Sequence, residues 1–180
     1  MDKKRKDNCF VIWMTGLPCA GKSTIAKKLR EHVENLAVLD GDELREWLSP
    51  KDFSREGRTE HNRKVAHLAK LLVNHNVPVA VSLISPFREN RETARKIIGA
   101  DKFVETYVKC PIDICERRDV KGMYKKARTG EIKNFTGIQD PYEEPINADI
   151  VVDTEKDSPE IVVNKIIARL HELEIMPTIY

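Results

Sequence analysis

Apolar residues along this chain fall into short unbroken runs that alternate with longer spans of helical spacing. Residues 9–14, Cys-Phe-Val-Ile-Trp-Met, are an unbroken apolar run, as in a strand buried on both faces. Behind it, Ile25, Leu29, Val33 and Leu36 recur at intervals of three and four and predict a helix. Residues 37–39 predict a second short strand, residues 43–47 a helix, and residues 50–57 a polar loop carrying Phe53. Val65, Leu68, Ala69 and Leu72 form one face of a helix over 58–74. The pattern continues with a strand at 77–84, a charged helix at 87–98, a strand at 103–108 and a helix at 112–118. Residues 119–145 carry many charges, several glycines and no long apolar face. A last strand at 150–152 precedes a helix over 159–173, with Val163, Ile166, Ile167 and Leu170 on one side.

Strands alternating with helices imply crossover connections. The expectation is an α/β fold of three layers: a mostly parallel five-stranded sheet with helices on both faces. At 180 residues the chain is read as one domain, 1–180, with a charged N-terminal tail at 1–8. Ligands of such sheets bind at the carboxyl ends of the strands. Composition narrows the class. An apolar fraction of 41%, a charged fraction of 33% and a net charge of +2 describe a globular chain without a field that attracts nucleic acid. No apolar run is long enough to span a membrane, and residues 1–6 lack the apolar core of a signal peptide, so a cytoplasmic setting is expected. Cys9, Cys19, Cys110 and Cys115 form no C-x-x-C pair and read as free thiols.

Chemistry enters at Gly16-Leu-Pro-Cys-Ala-Gly-Lys-Ser23, a G-x-x-x-x-G-K-[ST] phosphate-binding loop set between the first strand and the first helix. Glycines let the backbone curl so that its N–H groups face anionic oxygens. Lys22 carries the charge for the β- and γ-phosphates, and the Ser23 hydroxyl suits Mg²⁺. No guanine-reading N-K-x-D is present, since Asn164-Lys165 lies inside the terminal helix. Asp40 and Asp42 instead follow the short second strand, which suits a kinase acting on a small molecule. One acid positions Mg²⁺, and the other orients the acceptor hydroxyl. The basic stretch within 119–145, with Lys121, Lys125, Lys126, Arg128 and Lys133, reads as a lid that closes over phosphates and excludes water.

These residues resemble the adenylylsulfate kinase (APS kinase) family over most of the span from Trp13 to Val152. The matching motifs are residues 13–24, Leu39-Asp-Gly-Asp42 with Arg45, Phe53-Ser54 with Arg58, and Ile84-Ser-Pro86 with Arg88 and Arg91. The strongest match is the run from Arg118 to Gly137, with Pro141-Tyr-Glu-Glu-Pro145 after it. The resemblance implies a phosphate-binding-loop fold and transfer of the ATP γ-phosphate to the 3′-hydroxyl of adenylyl sulfate. Gly16, Leu17, Pro18, Cys19, Ala20, Gly21, Lys22, Ser23 and Thr24, with Arg117 and Arg128, would bind ATP. Ser23 and Asp40 would hold Mg²⁺. Asp42 would orient or deprotonate the hydroxyl, making it catalytic together with Lys22. Arg45, Arg58 and Lys121 would grip the phosphosulfate, and Phe53 and Phe135 would sandwich the adenine. Ile84, Ser85 and Asn134 would line the same pocket. The family carries a phosphoserine at the position of Ser85. In-line transfer needs no phosphoenzyme, so Ser85 is grouped with the catalytic residues and read as a pocket residue. The family's usual asparagine falls at His61, with Asn62 next. Either supplies the polar contact, and His61 otherwise reads as a partly exposed helix histidine with a general-base role open. The resemblance further implies a separate ATP sulfurylase as source of the acceptor and allows a homodimer. Another small-molecule kinase of the same fold, or a non-catalytic relative, is the competing reading.

Overall fold

The computed structural model describes residues 9–48 and 52–176. The tail expected at 1–8 and the first residues of the 50–57 loop fall outside them. Five parallel strands, β1 (Val11–Thr15), β2 (Ala37–Asp40), β3 (Val79–Ser82), β4 (Phe103–Lys109) and β5 (Ile150–Asp153), form one sheet in the order β2-β3-β1-β4-β5. The central strand β1 is buried along its whole length, which is why its sequence is apolar without alternation. Its side chains still divide between two cores. Ile12 and Met14 pack with Ile25 and Leu29 of α1 (Lys22–Leu29) and with Val163 and Ile166 of α7 (Pro159–Glu172). Val11 and Trp13 pack with Val65 and Ala69 of α3 (Arg55–Asn74) and with Ala94 of α4 (Arg88–Ile98). Helices therefore cover both faces, as the pattern predicted.

Three boundaries differ in ways that matter. The first helix ends at Leu29, not Leu36. Val33 and Leu36 remain buried, but they reach the core from successive turns, with Asn35 at φ +57°. Burial had imitated helical periodicity there. α3 begins three residues earlier than the spacing indicated, because the Ser54 hydroxyl caps it by accepting from the Gly57 N–H. Residues 119–145 contain α6 (Met123–Arg128) after α5 (Ile112–Arg118). The Asp119 carboxylate accepts from the Tyr124 and Lys125 N–H groups, at 3.0 and 3.1 Å, and starts this short helix. α2 (Gly41–Leu48) begins directly where β2 ends.

The carboxyl ends of β1, β2 and β3 thus meet at one edge. Gly16 is required there by proximity: a Cβ at this position would sit 2.4 Å from the Val108 carbonyl oxygen of β4. Backbone packed this closely leaves room only for hydrogen.

Candidate active site

The loop Gly16–Ser23 wraps the N-terminus of α1, whose cap residue Gly21 has φ +98° and whose first turn carries no acidic residue. Free N–H groups and an uncompensated positive dipole end suit an anion. Lys22 folds over the loop, donating to the carbonyls of Gly16 at 2.8 Å and Leu17 at 2.7 Å. Burial pushes its ammonium down to about 8, against nearby opposing charges that include Asp42 and Asp40.

The neighbouring strand ends complete the polar cluster. Asp40 and Ser82 are register partners on β2 and β3, so their side chains emerge together. The Ser23 hydroxyl donates to Asp40 Oδ2 at 2.5 Å and lies 3.1 Å from Ser82 Oγ. Asp40 Oδ1 accepts the Asp42 N–H at 3.0 Å, which fixes the start of α2. The exposed Asp42 carboxylate then receives Lys121 Nζ at 2.6 Å, across a separation of 79 residues. That ion pair raises the Lys121 pKa. Among the described residues, no group of three or more histidine, cysteine or acidic side chains forms a metal cage. Mg²⁺ in phosphoryl transfer takes one or two protein ligands and fills its octahedron with phosphate and water. A lone hydroxyl–carboxylate pair such as Ser23–Asp40 fits that demand.

On the opposite side, Arg45 lies 4.8 Å and Arg58 5.8 Å from the half-exposed ring of Phe53. Arg58 is buried, and its Nε donates to the Phe53 carbonyl at 2.9 Å while Nη2 donates to the Asn134 carbonyl at 2.5 Å. One guanidinium therefore joins the segments that carry Phe53 and Phe135. Phe135 is buried edge-on against Tyr124, with ring centroids 4.9 Å apart.

The chain's likeness to known proteins agrees with this arrangement. The family described as adenylylsulphate kinase matches residues 8–153. The chain belongs to that family. The adenylyl-sulfate kinase of Clostridium acetobutylicum is 47% identical over 180 residues, covering 97% of this chain and 90% of the relative. That of Thermodesulfovibrio yellowstonii is 50% identical over 163 residues, covering 88% of this chain and 82% of the relative. The Mycobacterium tuberculosis APS kinase CysC, solved in complex with AMPPNP and APS, is 38% identical with a TM-score of 0.85, covering 91% of this chain and 98% of that one.

In this adenylylsulphate kinase family member one predicted site residue, His61, stands differently from its sequence-based expectation, and Ser85, Arg117 and Arg128 have partners that the sequence did not show. His61 is not a partly exposed helix residue but is 1% exposed. Burial, then Arg45 and Lys64, push its pKa down to about 4, so its imidazole is neutral at physiological pH. Ser85 is also 1% exposed. Its hydroxyl accepts from Trp13 Nε1 at 3.2 Å and donates to Asn62 Oδ1 at 2.7 Å, so its one proton is committed to Asn62. Asn62 in turn donates to the Arg58 carbonyl at 2.8 Å. Arg117 pairs with Asp113 at 3.0 Å, and Arg128 pairs with Glu116 at 2.5 Å. Neither is joined to the phosphate-binding loop by a hydrogen bond or ion pair among the described residues.

Sequence reasoning missed the struts behind the loop. Tyr124 donates its hydroxyl to the Pro18 carbonyl at 3.1 Å. Thr154 donates to the Ala20 carbonyl at 2.9 Å, and Arg118 donates to the Thr154 carbonyl at 2.5 Å. Arg118 and Tyr124 lay inside the matched run from Arg118 to Gly137, and Thr154 lay outside it. Their contacts join distant segments and are invisible to spacing.

Replacing Ser85 with alanine is expected to keep kcat within about threefold while lowering stability by about 1–2 kcal/mol, since two buried partners lose a hydrogen bond. Steady-state turnover with a thermal melt checks this. A loss of turnover without a loss of stability would give the hydroxyl a chemical role.

Proposed function

We propose that this kinase transfers the γ-phosphate of ATP to the 3′-hydroxyl of adenylyl sulfate, yielding 3′-phosphoadenylyl sulfate and ADP. The observation that carries the reading is the meeting of donor and acceptor chemistry at the end of β2. Asp40 faces the loop serine at 2.5 Å, and Asp42, two residues on, is held by Lys121 of the 119–145 segment at 2.6 Å.

Lys22 and the loop N–H groups bind the β- and γ-phosphates of ATP. Ser23 and Asp40 would hold Mg²⁺, which when bound neutralises charge on the phosphate oxygens. Asp42 accepts the proton of the acceptor hydroxyl as that oxygen approaches the γ-phosphorus. Lys121, already beside Asp42, holds the acceptor's anionic group with Arg45. Arg58 acts as the strut that spaces Phe53 and Phe135 for a purine between them. Residues 119–145 serve as a lid on a single domain. The acceptor is a product of ATP sulfurylase chemistry, which we place on a separate enzyme in the cytoplasm.

The reading is tested by locating the new phosphate. Phosphorus NMR of a reaction containing Mg-ATP and adenylyl sulfate should show a monoester on the ribose 3′-oxygen. Phosphate at any other position, or only free phosphate, would overturn it.

A further inference from the structure

Arg91 lies outside the loop, the aspartates and the phenylalanine pair, yet it is 2% exposed and every arm of its guanidinium is engaged. Nε pairs with Glu105 Oε1 of β4 at 2.7 Å. Nη1 donates to the Ser85 carbonyl at 2.7 Å, and Nη2 donates to the Glu143 carbonyl at 2.7 Å. Two of these partners, the Ser85 and Glu143 carbonyls, belong to segments 58 residues apart in the sequence. Ser85 follows β3 in a left-handed conformation, φ +44°, that a serine adopts only when its surroundings impose it. Glu143 lies at the C-terminal root of the 119–145 segment.

Neighbouring contacts fasten the same two segments. The Glu143 N–H donates to the Pro86 carbonyl at 2.9 Å, and Glu143 Oε2 accepts the Arg88 N–H at 2.8 Å. Tyr142, stacked on Tyr107 with ring centroids 6.1 Å apart, places its hydroxyl 2.9 Å from Thr15 Oγ1. The Thr15 hydroxyl lies 2.8 Å from the Ile84 carbonyl and 3.1 Å from that of Ser85. Residues 84–86 and 142–144 are therefore one clamped unit. By contrast, at the other end of the segment, the contact of Lys121 with Asp42 is an exposed ion pair, which is weak in water.

We propose that Arg91, oriented by Glu105, is a positioning residue for the acceptor. It holds the Ser85 backbone turn that lines the acceptor pocket to Glu143. The root of the lid and the pocket wall then keep one geometry while the rest of 119–145 opens and closes. This rests on the proposed acceptor, adenylyl sulfate, bound against residues 84–85. A buried guanidinium with three fixed acceptors is not replaceable by an ammonium, which lacks the planar fork.

The experiment is steady-state kinetics on Arg91→Lys and Tyr142→Phe, with thermal melts alongside. Loss of charge-assisted hydrogen bonds at the pocket wall is expected to raise the KM for adenylyl sulfate about tenfold in Arg91→Lys, with the KM for ATP changed by less than about twofold. Tyr142→Phe loosens the other pole of the clamp without opening a cavity. A smaller rise, about threefold, is expected on the acceptor side alone, and this variant decides the matter if Arg91→Lys fails to fold. A lowered melting temperature with both KM values unchanged, or both KM values raised together, overturns the proposal and leaves Arg91 structural. Wild-type enzyme inactive with adenylyl sulfate would instead overturn the acceptor assignment.

Discussion

Asp42→Ala is expected to lower kcat by about 10²–10⁴-fold, the range for removing a positioned general base, while the Kd for ATP stays within about threefold. Asp42 is the second residue of α2, and its side chain is 75% exposed at the mouth of the site. Among the described residues its carboxylate pairs with Lys121, while Lys22 is held by the Gly16 and Leu17 carbonyls, so the donor half should survive its loss. Its backbone N–H, which the substitution keeps, still anchors to Asp40. Only the carboxylate disappears, and with it the partner of Lys121. The Lys121 pKa, raised by Asp42, should move back toward that of an ordinary lysine. Asp42→Asn keeps the shape and loses the basicity, so it should be nearly as slow. Turnover rates combined with equilibrium ATP binding read both sides. A kcat within threefold of wild type in both variants would remove Asp42 from the chemistry.

Lys22→Met is expected to lower kcat/KM for ATP by about 10²–10³-fold or more, in line with the loss of a single charge-stabilising donor. The more discriminating expectation concerns stability. Burial lowers the Lys22 pKa from 10.5 to about 8. Between those values the folded chain holds fewer protons than the unfolded chain, so this group's burden on the fold is present in full below pH 8. It is relieved as pH rises and is gone above pH 10.5. Methionine fills similar volume without a charge to bury. The variant should therefore melt no lower than wild type at pH 7 and should lose the upward drift of stability that Lys22 contributes between pH 8 and 10.5. A protein that keeps such a burden keeps it for a ligand, because polyphosphate oxygens restore the ammonium's solvation. A Lys22→Met protein that is strongly destabilised and binds ATP normally would assign the lysine to structure instead.

Elements fixed by local sequence were legible before the structure, and elements fixed by distant contacts were not. The run 9–14 announced a buried central strand because both faces of β1 are covered, and the loop at Gly16–Ser23 names its own chemistry. Asp40 and Asp42 were expected just past a strand over 37–39; Asp42 does follow β2, as the second residue of α2, whereas Asp40 is the last residue of β2 itself, held there by pairing with β3. Val33 and Leu36 misled because turns that cross a core bury residues at irregular spacing that imitates a helix. The short helix α6 has too few residues for periodicity to register, and the Asp119 contacts that start it read as one charge among many. His61 and Ser85 show a deeper limit. Polarity said surface or pocket, whereas α2 and the Trp13–Ser85–Asn62 chain enclose them. Such satisfied burial is a property of the fold and not of any window of sequence. Ser82 was missed for a related reason, since it joins Ser23 and Asp40 only through the register of β2 against β3.

The central claim is the identity of the acceptor. Its most direct test is ADP release from Mg-ATP across a panel of acceptors, namely adenylyl sulfate, nucleosides, shikimate and gluconate, each at matched concentration. The structure and the family predict rapid ADP release with adenylyl sulfate and only background release with the others. Equal or faster release with a sugar acid, shikimate or a nucleoside would contradict the assignment, whatever the quality of the ATP site.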